Sequence, residues 1–355
     1  MLAALAIGAA PAAAQPACGD VLTQDTTLTA DLDCSGEVAR DAPLVIGADG
    51  ITLDLGGHTL SAVTGYRIVN EGHDNVTIRN GTISSEGGAI RLSGVSGNVI
   101  RDIHAVGLLI GISAVNSDHN RFVHNHVDSV SFGVSGSHNV IAHNLVTQYE
   151  SVLSVGGDYN RIVDNVVWGG FEGTSLGLRG DHNEVRRNVF LNQALWVVSL
   201  DGANDTDFVA NTIGASGRFT GAVGVSIENS SRNRFVGNSV FAVVDGFDLH
   251  SGADNVFRGN DVSGVPVDRK PYIPYVPDGF AIAAGATGTV LRDNTVRGFD
   301  DDGIDVDAPG TRLKGNSADD NGDLGIEAVP GIIDLGGNSA SRNGNPLQCL
   351  NVACG

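Results

Sequence analysis

The sequence has few aromatic residues, few basic residues and no long apolar run. Aromatic side chains make up 5% of the 355 residues, against 49 glycines, so a layered enzyme built around a bulky core is disfavoured. The 21 basic residues face 41 acidic ones, a net charge of −20. This excludes nucleic acid as a partner, because phosphate backbones are bound by an excess of lysine and arginine. No apolar stretch reaches 18 residues, so no membrane span is predicted.

The two ends of the chain carry features that are typical of exported proteins. Residues 1–17 form an apolar, alanine-rich segment that ends in small residues, like the hydrophobic core and cleavage site of a signal peptide. The four cysteines fall into two local pairs, Cys18 with Cys34 and Cys349 with Cys354. This pattern favours two disulfides that staple the chain ends in an oxidising compartment. We therefore expect a secreted or periplasmic protein.

A short phrase centred on asparagine recurs from residue 75 onward. Its second asparagine falls at Asn125, Asn144, Asn165, Asn188, Asn211, Asn238, Asn260, Asn294, Asn316 and Asn338. Seven of the nine steps between these positions are 19 to 23 residues long, and a repeat of about 22 residues indicates a solenoid. Within each unit, apolar residues alternate on a period of two between Gly, Asn or Asp, which is typical of short strands.

These repeats predict an all-β fold, a single-stranded parallel β-helix of roughly 11–12 rungs. Stacked asparagine side chains would hydrogen-bond along the axis of such a coil, so the asparagine column is interpreted as structural. Residues 18–60 are expected to form an N-terminal cap and the first strands, and residues 61–338 the β-helix, with a loop insertion at 265–277. Residues 339–355 would cap the last rung with a disulfide, since an exposed sheet edge recruits other chains.

The sequence also resembles a known superfamily. The segment ITLDLGGHTL at residues 51–60, followed by asparagine-centred rungs to the end, is similar to the secreted right-handed parallel β-helix proteins of the pectin-lyase-like superfamily. That superfamily includes polysaccharide lyases, glycoside hydrolases, uronate epimerases and periplasmic NosD-type proteins linked to copper-site maturation. The resemblance implies a right-handed solenoid and a polysaccharide partner, and it leaves the reaction open.

An alignment of the rungs on the phrase Gly-Φ-x-Φ, where Φ is apolar, predicts which side chains stack on the outer surface. The x position is small in the N-terminal half, as at Ser113, Ser135 and Ser154, and becomes acidic in the C-terminal half. The side chains expected on this acidic face are Glu228, Asp245, Asp248, His250, Asp278, Asp302, Asp305 and Asp307. Like charges on adjacent rungs repel one another, which favours a bound cation, shared protons or a catalytic role. The alternative for the Asp-Gly pairs is turn chemistry alone.

The long step from Asn260 to Asn294 inserts a loop, residues 265–277, into the rung between Asp248 and Asp305. Its chemically distinctive side chains are Arg269, Lys270, Tyr272 and Tyr275. Loops on a rigid scaffold often carry binding residues, and tyrosine can stack on sugar rings. The convergence of this loop with the acidic face therefore marks the candidate site, and a spacer loop without a task is the alternative.

Residues 245–250, DGFDLH, are similar to the YGFDPH motif of the β-helical mannuronan C5-epimerases and depart from it at the first and fifth positions. The resemblance implies that Asp248 and His250 take part in proton transfer at the C5 of a uronate. In a lyase or epimerase, His250 or a loop tyrosine would abstract that proton. Lys270, Arg269 or a Ca²⁺ ion would neutralise the developing enolate. The predicted Ca²⁺ ligands are Asp302, Asp305 and Asp307.

A glycoside hydrolase is the other enzymatic hypothesis, with two carboxylates acting as general acid and as base or nucleophile. A neutral glycan suits the net charge better than a polyuronate does. Across these reactions the candidate catalytic residues are Asp248, His250, Asp302, Asp305, Lys270 and Tyr272. The candidate substrate-binding residues are Arg269, Tyr275, Asp245, Asp278 and Glu228.

Histidine columns suggest a non-enzymatic alternative. One turn column is predicted to hold His119, His138, Tyr159 and His182, and a second to hold His124 and His143 with His126 alongside. Stacked imidazoles could bind copper or zinc in a periplasmic or cell-surface protein of the NosD type. Ring packing at a turn accounts for the same pattern.

Overall fold

The protein is a right-handed parallel β-solenoid of about 13 turns, as predicted in kind and slightly longer than the expected number of rungs. The structure is a computed structural model that describes residues 15–36, 42–63, 65–84, 86–129, 131–147, 152–169, 174–192, 196–215, 222–265 and 277–355. All regular secondary structure in these ranges is β. They contain no helix that is long and apolar enough to cross a membrane.

Three parallel sheets run along the coil, and we name them A, B and C. Sheet A consists of β1 (Asp20–Leu22), β4 (Leu44–Ile46), β7 (Tyr66–Glu71), β9 (Gly88–Ser93), β11 (Ile110–Val115), β14 (Ser131–Ser135), β17 (Val152–Gly156), β20 (Leu176–Leu178), β23 (Trp196–Asp201), β26 (Val223–Glu228), β29 (Phe247–Ala253), β32 (Phe280–Thr287), β35 (Ile304–Val306), β38 (Ile326–Ala328) and β41 (Cys349–Leu350).

Sheets B and C share two long strands, β8 (Thr77–Ser84) and β10 (Val99–Leu108). Sheet B further contains β2 (Thr26–Thr27), β5 (Thr52–Asp54), β12 (Arg121–Val123), β15 (Val140–Ala142), β18 (Arg161–Val163), β21 (Glu184–Arg186), β24 (Asp207–Val209), β27 (Arg234–Val236), β30 (Val256–Arg258), β33 (Val290–Arg292), β36 (Arg312–Lys314) and β39 (Ile333–Asp334). Sheet C further contains β3 (Leu32–Asp33), β6 (Thr59–Ser61), β13 (His126–Ser129), β16 (Leu145–Thr147), β19 (Val166–Trp168), β22 (Val189–Asn192), β25 (Thr212–Ala215), β28 (Ser239–Val243), β31 (Asp261–Gly264), β34 (Thr295–Arg297), β37 (Ser317–Asp319) and β40 (Ser339–Ser341).

The predicted asparagine column is a continuous ladder of buried hydrogen bonds. Asn165 is representative: its Oδ1 accepts the backbone N–H and the side-chain Nδ2–H of Asn144, both at 2.9 Å. Its own Nδ2 donates to the carbonyl of Ile141 at 2.8 Å and to Oδ1 of Asn188 at 3.0 Å. The same pattern runs from Asn125 to Asn338 and fixes the stacking of each rung on the next. A buried amide that satisfies both its donors and its acceptor stabilises the turn instead of costing free energy.

The core is a column of apolar side chains that stack on their own kind in the next rung. Phe235 lies between Phe208 and Phe257, with ring centroids 5.0 and 4.9 Å apart. Sheet A adds Phe247 on Phe280 at 4.9 Å. A core built from repeated rungs in this way needs few aromatic residues, which accounts for the low aromatic content of the chain.

Both predicted disulfides form at the ends of the coil, joining Cys18 to Cys34 and Cys349 to Cys354. Residues 18–60 contribute β1 to β5 and most of β6, and these strands pair in register with one another and with the next rungs. At the other end, β41 pairs with β38, and the segment that holds the second disulfide covers the last rung.

Candidate functional site

The outward column of sheet A runs directly through the candidate site. Its register places Ser226 beside Asp248, Asp248 beside Ala281, and Ala281 beside Asp305. Asp305 in turn lies beside Glu327. The side chains of the flanking positions, such as Phe247 and Leu249, are buried in the core, so the column between them faces outward. The acids predicted for this column therefore share one wall of the coil.

One part of the predicted column is wrong. Residue Ser135 does not belong to it, because Ser113 pairs with Gly133 and Gly133 with Ser154. The column then continues through Gly177 to Ser199, which the sequence phrase missed. In both rungs the leading glycine of the phrase is replaced, by Ser131 and by Val197, so the phrase alone gave the wrong register or none.

A second column of acids lies at the turn before sheet A and forms a carboxylate ladder. The N–H of Asp278 donates to Oδ1 of Asp245 at 3.1 Å, and the N–H of Asp302 donates to Oδ1 of Asp278 at 2.9 Å. Oδ1 of Asp302 accepts the N–H of Leu324 at 2.7 Å. Asp245 and Asp302 are only 6% and 3% exposed. These side chains therefore complete the turn, as turn chemistry requires, while holding three carboxyl groups on successive rungs.

The glycines that follow these acids are required by close packing and not by an unusual backbone angle. A Cβ on Gly246 would lie 2.2 Å from the carbonyl oxygen of Gly279, and one on Gly279 would lie 2.4 Å from that of Gly303. None of the three has a positive φ. The Asp-Gly pairs thus allow adjacent rungs to approach closely beside the acidic face, and this brings the carboxyl groups near one another.

Burial and mutual repulsion raise the pKa of several of these acids. Burial raises the pKa of Asp278 to about 8; the N–H of Asp302 opposes the shift, and the charge of Asp305 adds to it. Burial also raises the pKa of Asp305 to about 6, with further contributions from Asp307 and Glu327. These groups keep their protons well above the pH at which an exposed aspartate ionises.

The pKa of Asp302 is raised as well, chiefly by burial. The hydrogen bond from the N–H of Leu324 opposes this shift, whereas a carboxyl hydrogen bond with Glu327 adds to it. A hydrogen bond between two carboxyl groups requires one shared proton. The raised pKa values of Asp278 and Asp302 favour shared protons, one of the three ways in which such a cluster can offset its own repulsion.

Asp248 has a different environment from these protonated acids. Burial raises its pKa, while His250 opposes that shift through charge and a hydrogen bond. His250 Nε2 lies 3.0 Å from Asp248 Oδ2, and the histidine side chain is about half exposed. Glu228 and Asp307 follow the paired positions Ile227 and Val306, so both lie at the edge of the same sheet.

The loop residues predicted to complete the site, Arg269, Lys270, Tyr272 and Tyr275, lie outside the described residues. The structure does place the loop ends, because Val265 follows β31 and Pro277 precedes Asp278, and both are buried. The insertion is therefore anchored next to the carboxylate ladder, and the roles of its side chains remain predictions.

An acidic trio that the sequence did not single out lies at the edge of the site. The donor atoms of Asp301, Asp302 and Asp323 all lie within 4.8 Å of one another, the one such group of His, Cys, Asp or Glu side chains among the described residues. Asp305 and Asp307, the other predicted Ca²⁺ ligands, are not part of it. The three consecutive aspartates from Asp300 to Asp302 could have indicated this trio, but the alignment on the Gly-Φ-x-Φ phrase did not include all of them.

The histidine columns stack as predicted. His119 lies on His138 with ring centroids 4.7 Å apart, and the column continues through Tyr159 to His182. His124 stacks on His143 at 5.1 Å, and His126 stacks on His104 at 4.5 Å. The backbone at the first two columns has positive φ, for example 57° at His119 and at His124. These two residues directly precede the buried Asn120 and Asn125. These rings thus occupy a turn position that the asparagine ladder repeats.

These features define a class, a right-handed parallel β-helix protein with acidic side chains in a column along one sheet and at the turn beside it. The chain belongs to the NosD family, whose model is described as periplasmic copper-binding protein and matches residues 51–273, more than half of the sequence. A second model, right-handed beta helix region, matches residues 196–351. The family description names copper and not the Ca²⁺ suggested by the sequence, and it agrees with an oxidising compartment for the two disulfides.

Solved structures with the same fold include a mannuronan epimerase module and a tailspike protein. The A-module of mannuronan C-5 epimerase AlgE6 from Azotobacter vinelandii aligns with a TM-score of 0.57 at 12% identity, covering 91% of this chain and 97% of that one. The Dettilon tailspike protein gp208 aligns with a TM-score of 0.54 at 13% identity, covering 81% of this chain and 61% of the tailspike. At such identities the similarity establishes the fold alone. No curated protein sequence matches the chain.

Proposed function

We propose that this protein is an exported glycoside hydrolase that cleaves a neutral polysaccharide at the acidic face of sheet A. The observation that carries the proposal is the arrangement of Asp248, Ala281 and Asp305 in one outward column, with a histidine beside the first acid and with burial that raises the pKa of the second to about 6. Two carboxyl groups in unlike environments are what the acid and base of a glycosidase require.

The spacing of the two acids favours inversion of configuration at the sugar. Asp248 and Asp305 are two rungs apart, on the order of 10 Å at the backbone. Inverting glycosidases hold their carboxyl groups about 6.5–9.5 Å apart, because a water molecule must fit between one acid and the sugar. The small side chain of Ala281 leaves that space open. A small change in the side-chain conformation of either acid brings the two carboxyl groups to the separation found in inverting glycosidases.

The roles follow from the two environments. Asp305, protonated up to a pKa of about 6, donates its proton to the glycosidic oxygen as the bond from that oxygen to the anomeric carbon breaks. Asp248, whose ionised form His250 favours, accepts a proton from water. The oxygen of that water forms the new bond to the anomeric carbon. Activity should therefore fall as the pH rises above about 6, where Asp305 loses its proton.

Charge supports a neutral substrate. The net charge of −20 and the acids around the site repel a polyuronate, whereas a neutral glycan meets no such barrier. The lyase and epimerase hypotheses depend on a Ca²⁺ ion or on the basic loop residues Lys270 and Arg269 to offset that repulsion, and both loop residues lie outside the described ranges. The carboxylate pair needs none of them.

The test is a panel of neutral and acidic polysaccharides assayed for new reducing ends and for unsaturated uronate absorbance. We expect reducing ends from a neutral glycan and no unsaturated product. Asp305→Asn and Asp248→Asn should each lower the rate at least 100-fold, because each removes one proton-transfer group. Asp261→Asn is the matched control, since Asp261 pairs with Arg297 on sheet C. Equal activity in all four proteins would contradict the proposal, and so would an unsaturated product.

Copper handling is the second candidate, because the family description names copper and imidazole columns are present. The described histidines do not fit a copper centre as they stand. Their rings are nearly parallel, with interplanar angles of 3° and 17° in two of the pairs, so their nitrogen lone pairs do not converge on one point. The acidic trio offers hard oxygen donors, which suit other cations better than copper. We therefore derive no step through copper.

A further inference from the structure

Sheet A carries a second feature, an elongated cleft on its outer face, on the N-terminal side of the acidic site. The cleft has a volume of 680 Å³ and lies over β11, β14, β17, β20 and β23. Its floor is the outward column of small residues, namely Ser113, Gly133, Ser154, Gly177 and Ser199. The five rungs span about 19 Å along the axis, enough for several sugar rings in a row.

Two walls of different chemistry bound the floor at its C-terminal end. On one side stands Trp196, whose side chain is 43% exposed. On the other side Arg179 Nη2 donates to Asp201 Oδ2 at 3.0 Å. An aromatic face opposite a paired polar group is the combination by which proteins hold sugars, since the ring packs on C–H groups while the polar atoms bind hydroxyls.

The glycines in the cleft are not explained by the fold. Gly133, Gly156 and Gly177 have no positive φ, and a Cβ built on any of them meets no atom within 4 Å. Glycine within a strand costs about 0.5–1 kcal/mol relative to alanine. Packing forces glycine at other positions of sheet A, as at Gly224, where a Cβ would lie 2.5 Å from the carbonyl oxygen of Gly246. Since neither conformation nor packing requires glycine in the cleft, the open floor itself is the feature that glycine preserves.

The cleft is in register with the acidic site. Ser199 pairs with Ser226, and Ser226 with Asp248, so the floor column leads to the proposed base in two rungs, about 10 Å. At the edge, Asp201 pairs with Glu228, and Glu228 and His250 directly follow the paired positions Ile227 and Leu249. A linear chain lying along the axis in the cleft therefore points at the two acids.

From this continuity we infer that the cleft is a binding site for a linear neutral glycan, with Trp196 as the stacking platform and the Arg179–Asp201 pair as the hydroxyl-binding wall. The inference rests on the proposed function for the position of the cleavage point, several sugar rings from Trp196. Contacts so far from the reacting bond bind the chain without touching the chemistry. They should govern the KM for long substrates more than kcat.

The chain offers an internal fluorescent probe, because it has two tryptophans and the other one, Trp168, lies on sheet C. In Trp168→Phe all tryptophan emission comes from Trp196. We expect linear neutral hexasaccharides of glucose, galactose, mannose or xylose, tested singly, to include at least one that shifts this emission saturably, in Trp168→Phe/Asp305→Asn as well. Oligogalacturonate should not shift it. Emission that no neutral hexasaccharide moves would overturn the inference.

Two variants separate the cleft from the cleavage site. Trp196→Ala should raise the KM for a long glycan about tenfold with little change in kcat, and leave a disaccharide analogue unaffected. Trp168→Ala, at a tryptophan that is 50% exposed, is the matched control and should change neither. Gly177→Val should fill the floor and abolish the emission shift at unchanged melting temperature, with Gly133→Val as a second variant.

The outcomes distinguish this inference from the proposed function. Binding reported by Trp196 without any cleavage would refute the hydrolase and leave the cleft as a glycan-binding site. Cleavage with a KM that neither Trp196→Ala nor Gly177→Val alters would refute the cleft and leave the hydrolase.

Discussion

The raised pKa of Asp278 in the carboxylate ladder predicts how the folding stability of the protein depends on pH. Asp278 holds its proton up to a pKa of about 8 in the folded protein, whereas in the unfolded chain an aspartate ionises near 4. The folded state thus binds more protons than the unfolded state between these values. Its stability should therefore fall as the pH rises from about 4 to about 8. The substitution Asp278→Asn removes this effect, and its amide oxygen can still accept the N–H of Asp302.

The size of the effect follows from the shift. One pKa unit is worth about 1.4 kcal/mol, so ionising Asp278 alone would cost the folded state on the order of 5 kcal/mol. Water that reaches the partly buried carboxyl, and protons shared along the ladder, reduce this to about 2–4 kcal/mol. In a protein of this size, that corresponds to a difference in melting temperature of roughly 3–5 °C.

The measurement is the melting temperature by circular dichroism of wild type and Asp278→Asn from pH 4.5 to pH 8.5. The two proteins should melt together at pH 4.5, and the variant should melt higher at pH 8.5. Asp320→Asn is the control with the opposite sign, because Arg342 donates two hydrogen bonds to Asp320 and lowers its pKa. Asp320→Asn should melt at a lower temperature than wild type at pH 8.5. A difference in melting temperature between Asp278→Asn and wild type that stays constant from pH 4.5 to pH 8.5 would contradict this prediction.

Three further predictions concern the scaffold. Asn165→Ala should cost about 2–4 kcal/mol in unfolding by urea, because the buried N–H of Asn144 and carbonyl of Ile141 on the preceding rung lose their partner. Gly246→Ala should lower the melting temperature markedly, whereas Gly133→Ala should leave it unchanged or raise it, which thermal melts of both variants would check. Reduction of the Cys18–Cys34 disulfide should expose the N-terminal rungs to limited proteolysis before the rest of the coil.

The repeat was predictable because one residue type sets it. The second asparagine of each repeated phrase, from Asn125 to Asn338, takes its predicted place in the ladder. The wall that carries Asp248 and Asp305 was predicted from the Gly-Φ-x-Φ phrase, and strand pairing places both residues in one column with Ala281 between them.

Register failed at two of the rungs in which the sequence phrase lacks its leading glycine. The rungs of Gly133 and Ser199 carry Ser131 and Val197 at that position, so only strand pairing reveals their alignment. The cleft near Trp196 could not be predicted for the same reason. A glycine that preserves open space looks identical in sequence to one that packing requires, and only coordinates tell Gly177 from Gly246.

Electrostatics was the part that the sequence could not supply. The pattern placed Asp278 and Asp302 on one face, but whether they ionise depends on how deeply the turn buries them and on the N–H groups they accept. The carboxyl hydrogen bond between Asp302 and Glu327 joins residues 25 positions apart in different columns. Such contacts arise from side-chain conformation and not from the repeat.

The central claim is that Asp248 and Asp305 act as base and acid across the gap that Ala281 leaves. It is tested most directly by NMR spectroscopy of the first sugar anomer released from a neutral glycan, recorded before mutarotation. With Asp248 and Asp305 in these roles, we expect inversion of the anomeric configuration and no such product from Asp305→Asn. A product of retained configuration would contradict it, because retention requires a carboxyl pair only about 5 Å apart.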